Sequence, residues 1–282
     1  MTQNEPELVD AGAESEVYIT RGPNPFIIKR RRPKGKTQYN FEAYANERLK
    51  ELGAKVPSVI SHSDDELIMS ALVGEKLDDK TELFDNVQLF NAIAKDLALC
   101  LKVTFEGFGP AAATDYGFKG TYASWQEYLA HVYEQLENSP ILSEQQKDTL
   151  KTYWNNVAPE INLYKGMLVH GDFAMSAIFV NDDHYEGLID FGDAFIGDPL
   201  MDLAYFRFKE INKPYGLQTY NLLLEGYLIS IDIDRMYIEK VVNLYMICWA
   251  VMRVHIDHLG REIIDKFLDK TDVVISLLGN AK

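Results

Sequence analysis

A short hairpin pattern between helical segments restricts the fold of this chain more than any other sequence feature. Two apolar runs, at residues 178–180 and 187–189, flank the polar turn Asn-Asp-Asp at 181–183. Short apolar runs around turn-forming residues are typical of a β-hairpin. Before and after this hairpin, apolar residues recur at intervals of three and four, which predicts amphipathic helices. The larger, C-terminal part of the chain therefore combines helices with an inserted hairpin.

Two acidic triplets stand at the ends of this hairpin. The triplet His-Gly-Asp at 170–172 follows an apolar run, and Asp-Phe-Gly at 190–192 ends the hairpin. Each triplet alone is compatible with an ordinary turn, because Gly and Asp are common turn residues. Together they place two carboxylates where both can point into one cleft. Phosphoryl transfer from a nucleotide needs one carboxylate near the attacking hydroxyl and another on the metal that bridges the phosphates.

Five strands and one helix are predicted for the N-terminal residues. Three apolar runs bounded by Gly or Pro indicate antiparallel strands joined by tight turns, at Leu8-Val9, Val17-Tyr18-Ile19 and Phe26-Ile27-Ile28. The apolar spacing becomes helical from Thr37 to Leu52, and Gly53 is the expected C-cap. Two more strands are predicted at Val56–Ser61 and Glu66–Ser70, so that this α+β unit ends near Leu72.

Helical periodicity dominates the rest of the chain. Six core-facing helices are predicted there, at Leu83–Val103, Ser124–Glu137, Ser143–Val157, Tyr215–Ile229, Met236–Leu259 and Glu262–Leu278. Ser124 with Glu127, and Ser143 with Gln146, have the spacing of a capping box. The whole pattern predicts an α+β fold with a small strand-rich lobe and a larger, mainly helical one.

The composition is that of an ordinary globular protein, with 47% hydrophobic and 25% charged residues among 282. No apolar run reaches the roughly 18 residues of a membrane span, and the polar, acidic N-terminus lacks a secretory pattern. Cys100 and Cys248 lie in separate apolar helical segments, so we expect neither a disulfide nor a cysteine metal site. These features predict a cytoplasmic protein that does not bind a membrane.

The net charge of −15 is concentrated in the C-terminal part of the chain. Residues 1–74 carry 10 basic and 11 acidic side chains, so residues 75–282 account for −14. An acidic surface repels nucleic acid and attracts cations, or it only keeps the protein soluble. The run Lys29–Lys36 holds six basic residues in eight, but its strand pattern and the overall charge argue against a nucleic-acid site.

Residues 169–206 resemble the aminoglycoside phosphotransferase and choline kinase-like family, which shares the protein-kinase-like fold; their sequence is VHGDFAMSAIFVNDDHYEGLIDFGDAFIGDPLMDLAYF. The resemblance is moderate over residues 8–77 and faint in the C-terminal helices. It implies a two-lobed fold, with a nucleotide-binding lobe and hinge at 1–73 and a helical lobe at 74–282 that carries the catalytic loop and the acceptor site. It also implies ATP or GTP as co-substrate, Mg²⁺, and a small-molecule acceptor that is phosphorylated on a hydroxyl.

The resemblance assigns roles to the acidic triplets and to a later aspartate. Asp172 matches the catalytic aspartate, whose carboxylate orients the acceptor hydroxyl and takes its proton. Asp190 matches the metal-binding aspartate, in keeping with the preference of Mg²⁺ for oxygen ligands. His170 is expected to shape the loop, and Asp202 matches the aspartate that braces it. Asp198, followed by Pro, instead has the N-cap signature of a helix.

Two residues of the N-terminal lobe are implied to form the phosphate-binding pair. Lys29 ends the third apolar run and matches the lysine that contacts the α- and β-phosphates. Glu42, early on the following helix, matches the glutamate that pairs with this lysine. Glu47 lies on the same helix and is the alternative.

Backbone groups are implied to supply the remaining nucleotide contacts. The turn at residues 10–15, which contains Gly12 and Ser15, matches the loop over the phosphates, although its single glycine is equally typical of a plain hairpin turn. Ser70 and Leu72 lie in the connection between the lobes, where the family's backbone groups hydrogen-bond the base.

One position departs from the family's pattern. The family has a metal-binding asparagine five residues after the catalytic aspartate, and this chain has Ala177 there. A methyl group cannot bind Mg²⁺, so either one metal ion suffices or an oxygen of Ser176, water or Asp193 replaces the amide. The remaining interpretation is a nucleotide-binding pseudo-phosphotransferase with a regulatory role.

The acceptor is expected to bind among the helices after Asp198. The acidic charge predicts a small cationic acceptor, either aminoglycoside-like or an amino alcohol. Four acidic residues are candidates through their charge alone and are more typical of solvated helix faces: Asp232, Asp234, Asp257 and Glu262. Tyr205, Tyr245 and Trp249 could surround a quaternary amine, although aromatic residues at helical spacing more often belong to the core.

Overall fold

Five antiparallel strands of the N-terminal part form one sheet, in the order β1-β2-β3-β5-β4. Their bounds are β1 Glu7–Ala11, β2 Ser15–Ile19, β3 Phe26–Arg31, β4 Val59–His62 and β5 Glu66–Ser70. The computed structural model describes residues 6–12, 14–33, 35–254 and 261–279. All five strands were predicted from the sequence, and this prediction is confirmed.

The helix α1, Tyr39–Glu51, follows β3 and matches the predicted segment to within two residues. Its apolar residues recur at helical spacing and are buried, among them Phe41, Ala45 and Leu49. The helix ends where Gly53 adopts a φ of +92°, a conformation that favours glycine. Because Glu42 lies in the first turn of the buried face, α1 places its carboxylate against the sheet.

The connection between the lobes ends in a strand that joins the predicted hairpin. Strand β6, Glu75–Lys76, pairs with β11, Ile178–Asn181, which in turn pairs with β12, His184–Leu188. At Gly74 a side chain would come within 2.0 Å of the Val180 carbonyl oxygen, so only glycine permits this approach. The hairpin is therefore confirmed, and the lobe boundary after residue 73 stays a prediction.

Seven further helices follow among the described residues, and their bounds are α2 Val87–Leu97, α3 Trp125–Glu137, α4 Glu144–Val157, α5 Leu200–Glu210, α6 Gly216–Ser230, α7 Arg235–Val254 and α8 Arg261–Gly279. The first is shorter than predicted, because Asn86 caps it and residues 98–102 continue as a 3-10 helix. Residues 255–259 of the helix predicted at 236–259 lie outside the described residues.

The predicted capping boxes differ between α3 and α4. At α4, Ser143 accepts a hydrogen bond from the Gln146 backbone and the Gln146 side chain accepts one from Ser143, which is the complete box. At α3, Ser124 accepts from the Glu127 backbone, but the Glu127 carboxylate accepts from Ala123 instead. Both helices therefore begin where the sequence predicted.

A second five-stranded sheet in the C-terminal lobe was not predicted. It has the order β7-β10-β13-β8-β9, with bounds β7 Thr104–Phe105, β8 Phe108–Thr114, β9 Gly117–Tyr122, β10 Gly166–Val169 and β13 Phe195–Gly197. Strand β8 is rich in Gly and Ala, and β7 and β13 have two and three residues, so none shows the alternation that indicates a strand. Helix α5 was not among the six predicted segments, but its start was indicated by Asp198 and the following Pro: the Leu200 backbone donates to Asp198 Oδ1 at 3.0 Å.

One hydrophobic core extends from α1 through the helices and strands of the larger lobe. Within it, Trp125 Nε1 donates a hydrogen bond to the Tyr245 hydroxyl at 2.9 Å, and this hydroxyl donates to Asp198 Oδ2 at 2.8 Å. Tyr245 is therefore a core residue and does not face an amine site. No described helix has the length and apolar content to cross a membrane.

Candidate active site

A buried carboxylate of α5 holds the loop after β10 in place through hydrogen bonds. Asp202 Oδ2 accepts a hydrogen bond from the His170 backbone at 2.8 Å, and Oδ1 accepts one from the Gly171 backbone at 3.0 Å. Burial raises the pKa of Asp202 to about 7, while the two backbone donors oppose that rise. The position of Asp202 thus matches the bracing role that the resemblance implied.

His170 is a fully buried, neutral member of the same loop. Its Nδ1 accepts a hydrogen bond from the Asp172 backbone at 3.3 Å, so its Nε2 donates to the Ile189 carbonyl at 2.9 Å. Burial lowers the pKa of His170, which keeps the imidazole uncharged. His170 therefore ties the Asp172 loop to the end of the hairpin.

Gly171 allows the two acidic loops to touch. It has a φ of +85°, and a side chain there would lie 2.0 Å from the Asp193 carbonyl oxygen. Both the backbone conformation and this contact exclude other residues. The carboxylates of Asp172 and Asp190 therefore open into one cleft, as the spacing of the triplets predicted.

Lys29 is the cation at the centre of this cleft. Its Nζ lies 2.5 Å from Glu42 Oε1 and 2.7 Å from Asp190 Oδ1. Burial disfavours the charged amine, but Asp190 and Glu42 more than offset this and raise the pKa of Lys29. Lys29 in turn lowers the pKa of Asp190. Glu47, the alternative partner, is exposed, so the structure places Glu42 and not Glu47 beside Lys29.

The cleft has a volume of about 260 Å³ and brings together residues from both lobes. Five of the ten predicted site residues line it, namely Gly12, Ser15, Lys29, Asp172 and Asp190. The rest of its lining is Asp10, Glu14, Val17, Thr37, Gly192 and Asp193. The Ser15 hydroxyl oxygen accepts a hydrogen bond from the Tyr39 hydroxyl at 2.7 Å, so its own hydrogen is available to a ligand. At Gly12 a side chain would meet only the Ser15 carbonyl oxygen, at 3.8 Å, so packing does not demand glycine there.

The three arginines of the basic run are held by other groups of the N-terminal lobe. Arg30 pairs with Glu66 at 2.8 Å, Arg32 lies 3.8 Å from Glu16, and Arg31 donates to the Thr37 carbonyl. Each arginine thus has a partner within the N-terminal lobe.

Two predicted nucleotide contacts lie apart from the others. The cleft lining among the described residues does not include Ser70 or Leu72. The Ser70 backbone donates to the Ser58 carbonyl at 2.9 Å, and the Ser70 hydroxyl oxygen accepts from the Ser58 backbone at 2.9 Å. The Ser70 N–H is therefore engaged, and its carbonyl oxygen is the group left for a base.

Ala177 is buried, with 4% exposure, and its backbone holds the hairpin in place. The Ala177 N–H donates to the Ala174 carbonyl and the Ala177 carbonyl accepts from the Ile189 N–H, both at 2.9 Å.

No group of three His, Cys, Asp or Glu residues suited to a metal ion occurs in the described parts of the chain. Mg²⁺ typically uses one or two carboxylates together with water and substrate phosphates. Asp190, 56% exposed in the cleft, fits a metal ion that arrives with phosphates.

Arg253 is a residue of the site that the sequence did not reveal. Its Nη2 lies 3.0 Å from Asp172 Oδ1, and its guanidinium stacks over the rings of Tyr205 and Trp249, at 4.8 and 5.3 Å from their centroids. For these two rings the sequence left open an amine site or, more typically, the core; both are buried and pack against this side chain. A single basic residue near the end of the apolar helix α7 was the available signal.

A second cleft, of about 230 Å³, adjoins the first at Gly192 and Asp193. It is lined mainly by apolar and aromatic residues, with Lys36 and Asp193 as its charged members.

Of the acidic acceptor candidates, Asp234 accepts a hydrogen bond from the Tyr237 backbone at the start of α7. Neither cleft includes Asp232 or Asp234 in its described lining. Asp257 and the side chain of Glu262 lie outside the described residues.

Solved structures similar to this one include aminoglycoside phosphotransferases and a putative fructosamine-3-kinase. A thermostable mutant of aminoglycoside phosphotransferase APH(4)-Ia, in ternary complex with AMP-PNP and hygromycin B, is 15% identical with a TM-score of 0.75; the match covers 99% of this chain and 95% of that one. The GDP and kanamycin complex of APH(2")-IIia is 15% identical with a TM-score of 0.69, covering 98% and 95%. The gentamicin complex of APH(2")-IIa is 16% identical with a TM-score of 0.62, covering 98% and 94%. At these identities the similarity establishes a shared fold.

The sequence itself identifies the family. No curated protein matches the chain, but the model of the phosphotransferase enzyme family matches residues 6–237. This match spans both lobes and includes the two acidic loops. The chain therefore belongs to the phosphotransferase enzyme family.

Proposed function

We propose that this protein moves the γ-phosphate of ATP or GTP to a hydroxyl of a small molecule. The observation that carries the proposal is the meeting of Lys29, Asp172 and Asp190 in one cleft between the lobes. A cation for the phosphates, a carboxylate for a metal ion and a second carboxylate for the acceptor hydroxyl are the groups that phosphoryl transfer requires. Complexes of the similar structures with AMP-PNP and GDP support a nucleotide as the phosphate donor.

The nucleotide is proposed to lie with its phosphates against Lys29. Gly12 and Ser15 line this end of the cleft, and the Ser15 hydroxyl can donate a hydrogen bond to a phosphate oxygen. The base is proposed to extend toward the connection between the lobes, where the Ser70 carbonyl and the Leu72 backbone are its partners. Residues 1–73 would thus bind the nucleotide, and residues 74–282 would hold the acceptor.

Asp172 is proposed to accept the proton of the acceptor hydroxyl during transfer. As this O–H bond breaks, the oxygen bonds to the γ-phosphorus, and the bond to the β–γ bridging oxygen breaks. Lys29 balances charge on the phosphates. Asp190 would hold Mg²⁺, which would offset the negative charge of the phosphates. His170 and Asp202 keep the Asp172 loop in place without touching the substrates.

The acceptor is proposed to enter through the second cleft, next to Asp193. The −14 charge of residues 75–282 supports a cationic acceptor, whether aminoglycoside-like or an amino alcohol. The aminoglycosides hygromycin B, kanamycin and gentamicin in the similar structures support the same class.

A second candidate function follows from Ala177. Without the amide at this position, the protein would bind nucleotide but not transfer phosphate, and would act as a regulatory pseudo-phosphotransferase. Both proposals include the nucleotide site, but the first predicts phosphate transfer and the second predicts none.

The deciding experiment measures ADP and GDP formation with ATP or GTP, Mg²⁺ and a panel of acceptors. The panel contains hygromycin B, kanamycin, gentamicin, ethanolamine and choline, with uncharged polyols as controls. Acceptor-dependent turnover that is lost in Asp172→Asn supports phosphotransfer. Calorimetric nucleotide binding without turnover on any acceptor supports the pseudo-phosphotransferase instead.

A further inference from the structure

Arg253 makes three contacts with the acidic loops. Its Nη2 donates to Asp172 Oδ1 at 3.0 Å and to the Gly171 carbonyl at 3.3 Å, and it lies 3.8 Å from Asp193 Oδ2. The side chain reaches these loops from the last turn of α7, which is a different element from either loop. One guanidinium thus spans the loop that ends at Asp172 and the loop that follows Asp190.

The guanidinium is fixed by packing. It lies over the rings of Tyr205 on α5 and Trp249 on α7, which is a favourable position for a cation. Trp249 is itself fixed, because its Nε1 donates to the Met201 carbonyl at 2.8 Å. The Arg253 side chain is only 16% exposed, so little water competes for it. Such a side chain holds the Asp172 carboxylate without losing further mobility when substrates bind.

The positive charge of Arg253 offsets part of the negative charge that lines the cleft. Asp172, Asp190, Asp193, Asp10 and Glu14 all line the space into which nucleotide phosphates would have to move. Lys29 already pairs with Asp190. Like charges at close range oppose each other, so a cation between Asp172 and Asp193 reduces the repulsion of an incoming phosphate on the side away from Lys29.

We infer that Arg253 is a positioning residue for phosphotransfer: it holds Asp172 Oδ1, so that Oδ2 faces the acceptor hydroxyl, and its charge allows a phosphate to approach. This inference rests on the proposed function. It assigns to α7 a direct part in placing the catalytic carboxylate, in addition to its part in the core.

Arg207 provides a matched control on the opposite side of α5. It is also 16% exposed, forms an ion pair with Glu239 at 3.0 Å, and stacks over the Tyr220 ring at 4.8 Å. It does not belong to the described lining of either cleft. Replacing Arg207 by Met therefore removes a similar set of structural contacts without touching Asp172.

The test compares Arg253→Met with Arg207→Met in thermal unfolding, nucleotide affinity by calorimetry, and turnover. Turnover is measured as ATP hydrolysis by water and as transfer to the best acceptor of the panel. We expect Arg253→Met to lower kcat by about 10²-fold, because a displaced catalytic group loses about this much. Nucleotide Kd should change much less than kcat, and Arg207→Met should keep kcat. Equal kcat in Arg253→Met and the wild type overturns the inference, and so does an equal loss in both variants.

Chemical rescue separates positioning from a purely structural role. Guanidinium or methylguanidinium added to Arg253→Ala should restore part of kcat, since the small cation can occupy the space between Tyr205 and Trp249. The same additives should not restore Asp172→Asn. No rescue at any concentration that leaves the fold intact contradicts the inference. A wild-type protein without hydrolysis or transfer instead removes the proposed function, and the inference with it.

Discussion

The two sides of the cleft hold their charged groups in opposite ways. On the N-terminal side, Lys29 is buried and contacts two carboxylates, Glu42 and Asp190. On the C-terminal side, Asp172 is 37% exposed and is held by the cation Arg253. Lys29 stays protonated because both carboxylates raise its pKa. The first side therefore forms a charge network before any ligand binds, while the second keeps a carboxylate open to the acceptor.

This difference predicts distinct consequences for mutations. A change in the Lys29 network removes a partner from a buried ion pair, so it alters stability and nucleotide binding together. Changing the partly exposed Asp172 to Asn keeps an oxygen that can accept from Arg253, so it should alter turnover far more than stability or nucleotide binding. The predictions below test whether the two sides separate in this way.

Replacing Asp172 by Asn has the largest expected effect. The substitution keeps the shape of the side chain but removes its ability to take a proton. We expect transfer to fall by at least about 10²-fold, the lower end for general acid–base catalysis, with unchanged nucleotide affinity. Rate assays and calorimetry measure the two quantities, and the exposed Asp65→Asn is the control. Comparable turnover in Asp172→Asn would remove this residue from the chemistry.

Replacing Lys29 by Ala should weaken nucleotide binding and destabilise the fold. Loss of a charge-assisted contact corresponds to about 10-fold or more in affinity. Removal of one partner from a buried pair costs about 3 kcal/mol, because Glu42 remains buried without its cation. Calorimetry and denaturant unfolding measure the two effects.

The double variant Lys29→Ala/Glu42→Ala sharpens this prediction. It should recover part of the stability, since no fully buried carboxylate is left without its cation and Asp190 is partly exposed, but it should recover none of the nucleotide affinity. The exposed Glu47→Ala on the same helix should behave like the wild type. Unchanged affinity in Lys29→Ala would transfer the phosphate contact to another member of the basic run.

The sequence could predict the site residues that lie in local motifs, but not the one that reaches the site from a distant helix. Asp172 and Asp190 lie in local motifs with recognisable spacing, and Lys29 and Glu42 lie on adjacent elements, so short segments carried the prediction of these four residues. Arg253 reaches Asp172 from a position 81 residues away in the chain, and no local pattern encodes such a contact. The second sheet was missed because β8 is rich in Gly and Ala, β7 and β13 have only two and three residues, and β7 and β13 pair with β10 from positions distant in sequence.

Replacing Ala177 by Asn tests the departure from the family on the metal side of the cleft. If Asp190 and the phosphates hold Mg²⁺ with water in the other positions, an added amide ligand should lower the half-saturating Mg²⁺ concentration, by less than about tenfold. If the alanine marks a lost activity, the wild type binds nucleotide without transfer and the variant gains a measurable rate.

A magnesium titration of both proteins distinguishes these results, and thermal unfolding shows whether the buried position accepts the larger side chain. Identical rates and identical metal dependence would mean that position 177 does not face the metal. The resemblance-based alignment of this loop would then be wrong, while the Lys29 network would keep its role.

A change in ionic strength should have a smaller effect on activity than these substitutions. It should change acceptor binding more than nucleotide binding. Raising the ionic strength from about 0.1 to 1 M shortens the Debye length from about 10 to 3 Å. Long-range attraction of a cationic acceptor by the acidic C-terminal part is then screened, so the KM of that acceptor should rise a few-fold. Close, buried contacts are screened less, so the nucleotide KM should change less under the same conditions. The uncharged polyols of the panel serve as the control, and a preferred acceptor that is neutral or anionic would reduce the charge to a solubility feature.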